Sequence, residues 1–223
     1  MKTIVTVLLG FALVAAQAQT VVNAVGRYGI GDDGMAVLHY EQVAIQRGRF
    51  IPIDVFNVDF GKPGVYRESY VGLGGQLVKS KRLVATDEKS RRLVVTAEAY
   101  FGQTTGPASK GASYVLPWIR TDIRWSKRFT TDAVGFAYLP LNEQAKLHWV
   151  IDRARLNYDT TKWLRFGMGW AQSKTPDAPL AKKPFVGPTF KTKFGNVELW
   201  AQHIPGKYIA QIRWYKTFHL RRE

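Results

Sequence analysis

The chain contains no cysteine. That excludes a disulfide framework, a thiolate metal site, a cysteine nucleophile and an N-terminal lipoprotein anchor. Acidic residues are scarce beside basic ones, 17 against 32, which leaves a formal charge of +15. Beyond the first stretch, no apolar run reaches the roughly 20 residues that a membrane-spanning helix needs. Histidine is sparse as well. His39, His148, His203 and His219 show no H-x-x-x-H or similar ligand spacing, so no metal and no cofactor is expected.

Two glycine clusters fail as nucleotide sites. GIGDDG, Gly29 to Gly34, fits the letters of G-x-G-x-x-G, but an alternating segment follows where a helix is required, and Asp32 and Asp33 would repel a pyrophosphate. It reads as a turn. Gly72-Leu73-Gly74-Gly75 lacks the lysine and helix of a phosphate loop and reads as strand flexibility or a bulge. No nucleophile stands beside a base in a recognisable motif. Ser69, Ser113 and His203 would have to meet from distant segments, so catalysis is the minority reading.

What is present begins with MKTIVTVLLGFALVAAQA. Lys2 is a short positive region, Ile4 to Ala16 an apolar one, and Ala16-Gln17-Ala18 an A-x-A cleavage site. The expected division is a signal peptide over 1–18 and one domain over 19–223, about 205 residues. The strong positive balance then points to small anions or lipid phosphates as partners, and not to nucleic acid, which an exported protein rarely meets.

Alternation at period two recurs along the rest of the chain. In SYVLPWIRTDIRWSKRF, 113–129, Val115, Ile119, Ile123 and Trp125 share one parity while Arg120, Asp122 and Arg124 hold the other. Arg91–Gly102, Lys162–Gln172 and Tyr208–Thr217 repeat it. Further strands are expected at Met35–Gln46, Phe50–Phe60, Val65–Val78, Ala133–Leu139, Lys146–Tyr158 and Asn196–His203, with a weaker one at Val186–Lys193. Residues 102–113 and 173–184 read as loops. The stretch 141–158 admits two readings. It is a helix capped by Asn142, or a strand with Leu147, Trp149 and Ile151 on one side, followed there by Arg153 and Arg155.

A soluble β-sandwich would bury the apolar rows between two sheets. A membrane barrel would turn them to lipid and enclose the charges. Arginine, aspartate, tyrosine and glycine recur on the second faces, and 13% of the chain is aromatic. Both features favour the barrel. Trp118, Trp125, Trp163, Trp170, Trp200 and Trp214 fall near strand ends, where rings form interfacial girdles. The last segment carries Tyr208, Trp214 and Phe218 at one parity before the tail His219-Leu220-Arg221-Arg222-Glu223.

On these features the sequence resembles Gram-negative outer-membrane β-barrel proteins as a broad class. The resemblance implies an all-β, antiparallel, up-and-down transmembrane barrel of ten or twelve strands, with eight the lower alternative. It also implies location in the outer membrane, the periplasm being the alternative. Arg120, Asp122, Arg124, Arg153, Arg155, Arg165 and Arg213 then become candidate lumen residues, and the function a small, passive, anion-preferring pore. Two alternatives stand beside it. One is a closed barrel whose Lys182, Lys183, Arg221 and Arg222 grip lipopolysaccharide. The other is a soluble periplasmic sandwich.

The readings separate on simple handling. A membrane barrel stays in the membrane fraction through mild salt washing, needs detergent for extraction, and changes gel mobility when boiled. Release by salt alone would mark the sandwich.

Overall fold

A computed structural model describes residues 20–32, 36–62, 64–80, 92–204 and 206–220. The expected signal peptide, Arg221 and Arg222 lie outside these residues. The strands are β1 (Thr20–Gly31), β2 (Ala36–Arg47), β3 (Phe50–Phe60), β4 (Arg67–Ser80), β5 (Arg92–Thr105) and β6 (Ser113–Arg124). They continue as β7 (Phe129–Pro140), β8 (His148–Asp159), β9 (Leu164–Lys174), β10 (Ala181–Thr192), β11 (Gly195–Ile204) and β12 (Lys207–His219). Each pairs antiparallel with its sequence neighbours, and β1 pairs with β12 from Val21↔His219 to Gly31↔Ile209, which closes the barrel. Twelve strands settle the count and remove both the eight-strand and the two-layer alternatives.

The two parities face different media. Phe101, Ile119 and Met168 are 56%, 55% and 60% exposed on the outside, in line with Leu73, Val186 and Ile212. On the opposite parity Tyr100, Thr96 and Glu98 of β5, and Gln211 and Arg213 of β12, are buried inside. Strands of ten to fourteen residues are long enough to cross a bilayer at a tilt. With every backbone ladder closed, the sheet has no edge to leave unpaired in hydrocarbon.

Two expectations change and a third, the strand at Lys146–Tyr158, holds. β1 was not foreseen as a strand. β5 and β10 extend into segments read as loops, which leaves connections of 106–112 and 175–180. Over 141–158 the strand is found. Asn142 caps no helix there: its Oδ1 accepts from the Ser113 backbone N–H at 3.1 Å and its Nδ2 donates to the Gly111 carbonyl at 2.9 Å, strapping two loops together.

The irregularity expected at Gly72–Gly75 is found, since the β3–β4 register shifts between Ile51 and Asp54 opposite Gly74 and Gly72, and the glycines have a second cause. Gly72 pairs across the ladder with Tyr100, and Gly102 with Tyr70. Each tyrosine ring lies over the glycine opposite, so a Cβ at either glycine would overlap it. The two rings thereby reach inward positions that are 0% and 2% exposed. Gly72→Val should displace Tyr100 and cost about 1–3 kcal/mol. A lowered urea midpoint, followed by heat-modifiable gel mobility in lipid vesicles, checks this; an unchanged midpoint would refute it.

Candidate functional site: the barrel lumen

Two vestibules occupy the lumen. The near vestibule, at the end carrying the chain termini, has a volume of about 510 Å³ and is lined by residues such as Asn23, Gln76, Arg92, Arg124 and Thr217. The far vestibule, of about 640 Å³, is lined at its mouth by Val37, Tyr66, His148 and Lys207. Gln42, Arg120, Arg153 and Arg213 line both, and so mark the waist between them.

One half of the wall is cationic. Arg27 of β1, Arg153 and Arg155 of β8 and Arg213 of β12 are held by Asp132, Asp152 and Glu198. Arg153 Nε and Arg155 Nε donate to the two oxygens of Asp132 at 2.6 and 2.9 Å, and Asn157 Nδ2 donates to the same carboxylate at 2.9 Å. Arg155 Nη1 and Arg213 Nη1 share Glu198 at 2.7 and 3.1 Å. Asp152 receives Arg27 at 2.8 Å and Arg153 at 3.4 Å. Four guanidinium groups against three carboxylates leave one net positive charge in this network.

A bulge in β8 makes that network feasible. The β7–β8 register passes from Arg153↔Val134 to Ile151↔Gly135, so Asp152 has no partner of its own, and the β8–β9 ladder skips at the same place. One extra residue shifts the strand's phase. Val150 faces the lumen before the bulge, Arg153 and Arg155 after it, and Asp152 is also turned inward.

The other half, β2 to β7, is aromatic. Ring follows ring: Tyr40 and Phe56 at 5.6 Å between centroids, Phe56 and Trp118 at 5.6 Å, and Trp118 stacked on Phe136 at 4.2 Å. Tyr138 follows Phe136 at 5.5 Å and stacks on His148 at 3.8 Å. Their hydroxyls are engaged. Tyr138, Tyr66 and Tyr70 all donate to Glu68, at 2.8, 3.2 and 3.3 Å. Tyr40 donates to Gln42 at 2.8 Å, and Gln42 Nε2 in turn to Asp54 at 2.7 Å. Tyr100 reaches both Glu98 and Asp54.

Arg120 differs from the other arginines. It projects from β6, in the aromatic half, into the waist. Among the described residues no carboxylate lies within ion-pair distance of it, and its Nε has no hydrogen-bond partner. Glu98 and Asp122 act on it only through space.

The remaining lumen candidates scatter. Arg124 and Asp122 line the near vestibule, where Arg124 Nε donates to the Ser126 carbonyl at 3.2 Å. Arg165 is tied to Asp159 at 2.7 Å, a carboxylate shared with Lys191 at 2.6 Å. Lys182 and Lys183 point to opposite sides of β10, with Lys183 lining the far vestibule, so they do not form one lipid-gripping pair.

Two girdle candidates need correction. Trp118 and Trp200 are buried inside, 6% and 3% exposed. Trp200 stacks on Phe185 at 4.7 Å and lies 5.2 Å from the Arg155 guanidinium. Their parity explains it: Trp118 is in phase with Arg120, and Trp200 with Glu198. On the outer surface, Trp125, Trp163 and Trp214 sit with Phe129, Phe194 and Phe218 at the near end, and Trp170 lies on the outer face of β9.

No family model and no curated protein matches the sequence. Solved structures do match. The KdgM porin aligns with a TM-score of 0.59 at 9% identity, over 88% of this chain and 99% of that one. The fold is that of the KdgM porin. The KdgM porin in complex with disordered oligogalacturonate gives 0.57 at 11% identity over 88% and 99%, and the NanC porin 0.50 at 6% over 90% and 100%.

Arg27, Asp132, Asp152, Glu198 and the ring wall were not singled out from sequence. The signal for Asp132 and Glu198 was there: each carboxylate lies on the inward parity of its strand. Glu198→Ala would leave Arg155 and Arg213 buried without their shared anion, at a cost of about 3 kcal/mol. Urea unfolding in vesicles should show the loss, and wild-type stability would contradict the network's role.

Proposed function

We propose that the chain is exported, loses residues 1–18, and serves in the outer membrane as a narrow passive pore that prefers anions. The observation that carries this reading is the waist. Arg120, Arg153 and Arg213 line both vestibules, and the adjoining wall already has more guanidinium than carboxylate. In a confined, poorly solvated passage a fixed positive excess lowers the energy of anions and raises that of cations. The oligogalacturonate of the KdgM complex is itself a polyanion, which supports acidic solutes as the permeant class.

Arg120 contributes most of the selectivity, because no carboxylate among the described residues is bonded to it. The other arginines spend theirs holding the wall together. This division separates charges that fix geometry from the one that acts on solute.

Reversal potentials across a planar bilayer in a potassium chloride gradient test the proposal. Chloride should be the more permeant ion, and Arg120→Gln should cut the chloride-to-potassium permeability ratio by roughly threefold. Cation preference, or a folded barrel with no conductance, would overturn it.

A further inference from the structure

The far vestibule is two-sided. Arg27, Arg153, Arg213 and Lys183 occupy one side and the arc of rings from Tyr40 to His148 the other. Within the arc, Phe136, Tyr40, Leu38 and Val150 are only partly buried, so their surfaces remain open to the cavity. Val37, Val58, Ile204 and Ile209 add aliphatic surface to the cavity, while Gln172, Ser173, Gln202 and Gln211 line its opposite, charged side. At the base of this apolar face stands Arg120, free of carboxylate partners among the described residues, with Arg213 lining the same waist.

We propose that the far vestibule is a recognition site for a flat, apolar-bodied carboxylate, an aromatic acid. Its ring lies against Phe136 and Tyr40, and its carboxylate reaches the waist guanidinium groups of Arg120 and Arg213. The inference rests on the pore reading above and specifies the solute that this pore retains.

Two features favour an aromatic acid over an acidic sugar. A sugar brings hydroxyl groups that need partners when water is displaced, and burying them unpaired is costly. The ring wall has few to offer. The Tyr66, Tyr70 and Tyr138 hydroxyls are committed to Glu68 and the Tyr40 hydroxyl to Gln42, and Leu38 and Val58 beside the rings are aliphatic. A benzoate-like ring asks for none of this; it gains from stacking on the exposed faces. The volume, about 640 Å³, lies within the usual range of small-molecule sites. The guanidinium fork at the base matches a carboxylate better than a spherical anion.

Benzoate, acetate and galacturonate carry the same charge on different bodies, so block of chloride current by each isolates the body. With the full mature chain in a planar bilayer, benzoate should half-block at a concentration about tenfold lower than acetate or galacturonate. Phe136→Leu and Tyr40→Leu retain apolar bulk but lose the flat faces, and each should erase most of that advantage. Quenching of tryptophan fluorescence by benzoate in detergent, read against acetate, gives the same comparison without insertion. Benzoate no stronger than acetate, galacturonate equal to benzoate, or leucine variants that keep the full advantage would each overturn the site. Cation preference in the same membrane would bring down the pore reading too, whereas an anion-selective pore indifferent to benzoate brings down this inference alone.

Discussion

Closure of the sheet is the constraint from which the other features descend. A β-strand in hydrocarbon has no water to satisfy its N–H and C=O groups, so every strand must be paired on both sides. The β1–β12 ladder supplies the last pairing. Once the ring is closed, each strand has one face for lipid and one for the lumen, and the two-residue period assigns every side chain to one or the other. A guanidinium on the inner parity has no route to bulk water sideways. It must meet lumen water, a carboxylate or a ring, and Arg153, Arg155 and Arg213 meet carboxylates while Arg120 does not.

That assignment was legible wherever the two faces differ in chemistry. In β5 the outer row Leu93, Val95, Ala97, Ala99 and Phe101 opposes Thr96, Glu98 and Tyr100, and the sides can be read directly. The same holds for β9 and β12. It fails where the lumen face is itself apolar. The inner face of β7 carries Val134, Phe136 and Tyr138, bulkier than Ala133, Gly135 and Ala137 outside, so apolar content points the wrong way. In β1, Val21 and Val22 stand side by side and glycines take part of the inner face, which leaves little contrast to see. The phase of β8 changes at its bulge, which is why Ile151 and Arg153 looked like members of one row.

Residue type misled where phase would have served. Trp118 and Trp200 were assigned to a girdle because tryptophan favours interfaces, yet Trp118 shares the parity of Arg120 and Trp200 that of Glu198 and Gln202. The pleat is geometric and admits no exception short of a bulge, whereas the interfacial preference of tryptophan is a modest energetic bias. Ion-pair partners are a different matter. Arg27 meets Asp152 across 125 positions of chain, and only the closed barrel brings them together. Parity says that both face inward, but not that they face each other.

At the waist the narrowing comes from the wall itself, since Gln42, Arg120, Arg153 and Arg213 all stand on strands. From the far-end connections 106–112 and 141–147, small side chains, Ala112 and Ala145, join the buried ring cluster. Side chains occupy the space, rings from β2 to β7 and charge clusters from β8 round to β1. Each half is braced internally, the rings by Glu68, Asp54 and Glu98, the arginines by Asp132, Asp152 and Glu198. Fixed walls of this kind present solute with charges and surfaces that cost little reorganisation to engage. Selectivity then depends on the place where the halves come closest, and there a guanidinium from the aromatic side, bonded to no carboxylate among the described residues, faces a network that already carries more guanidinium than carboxylate.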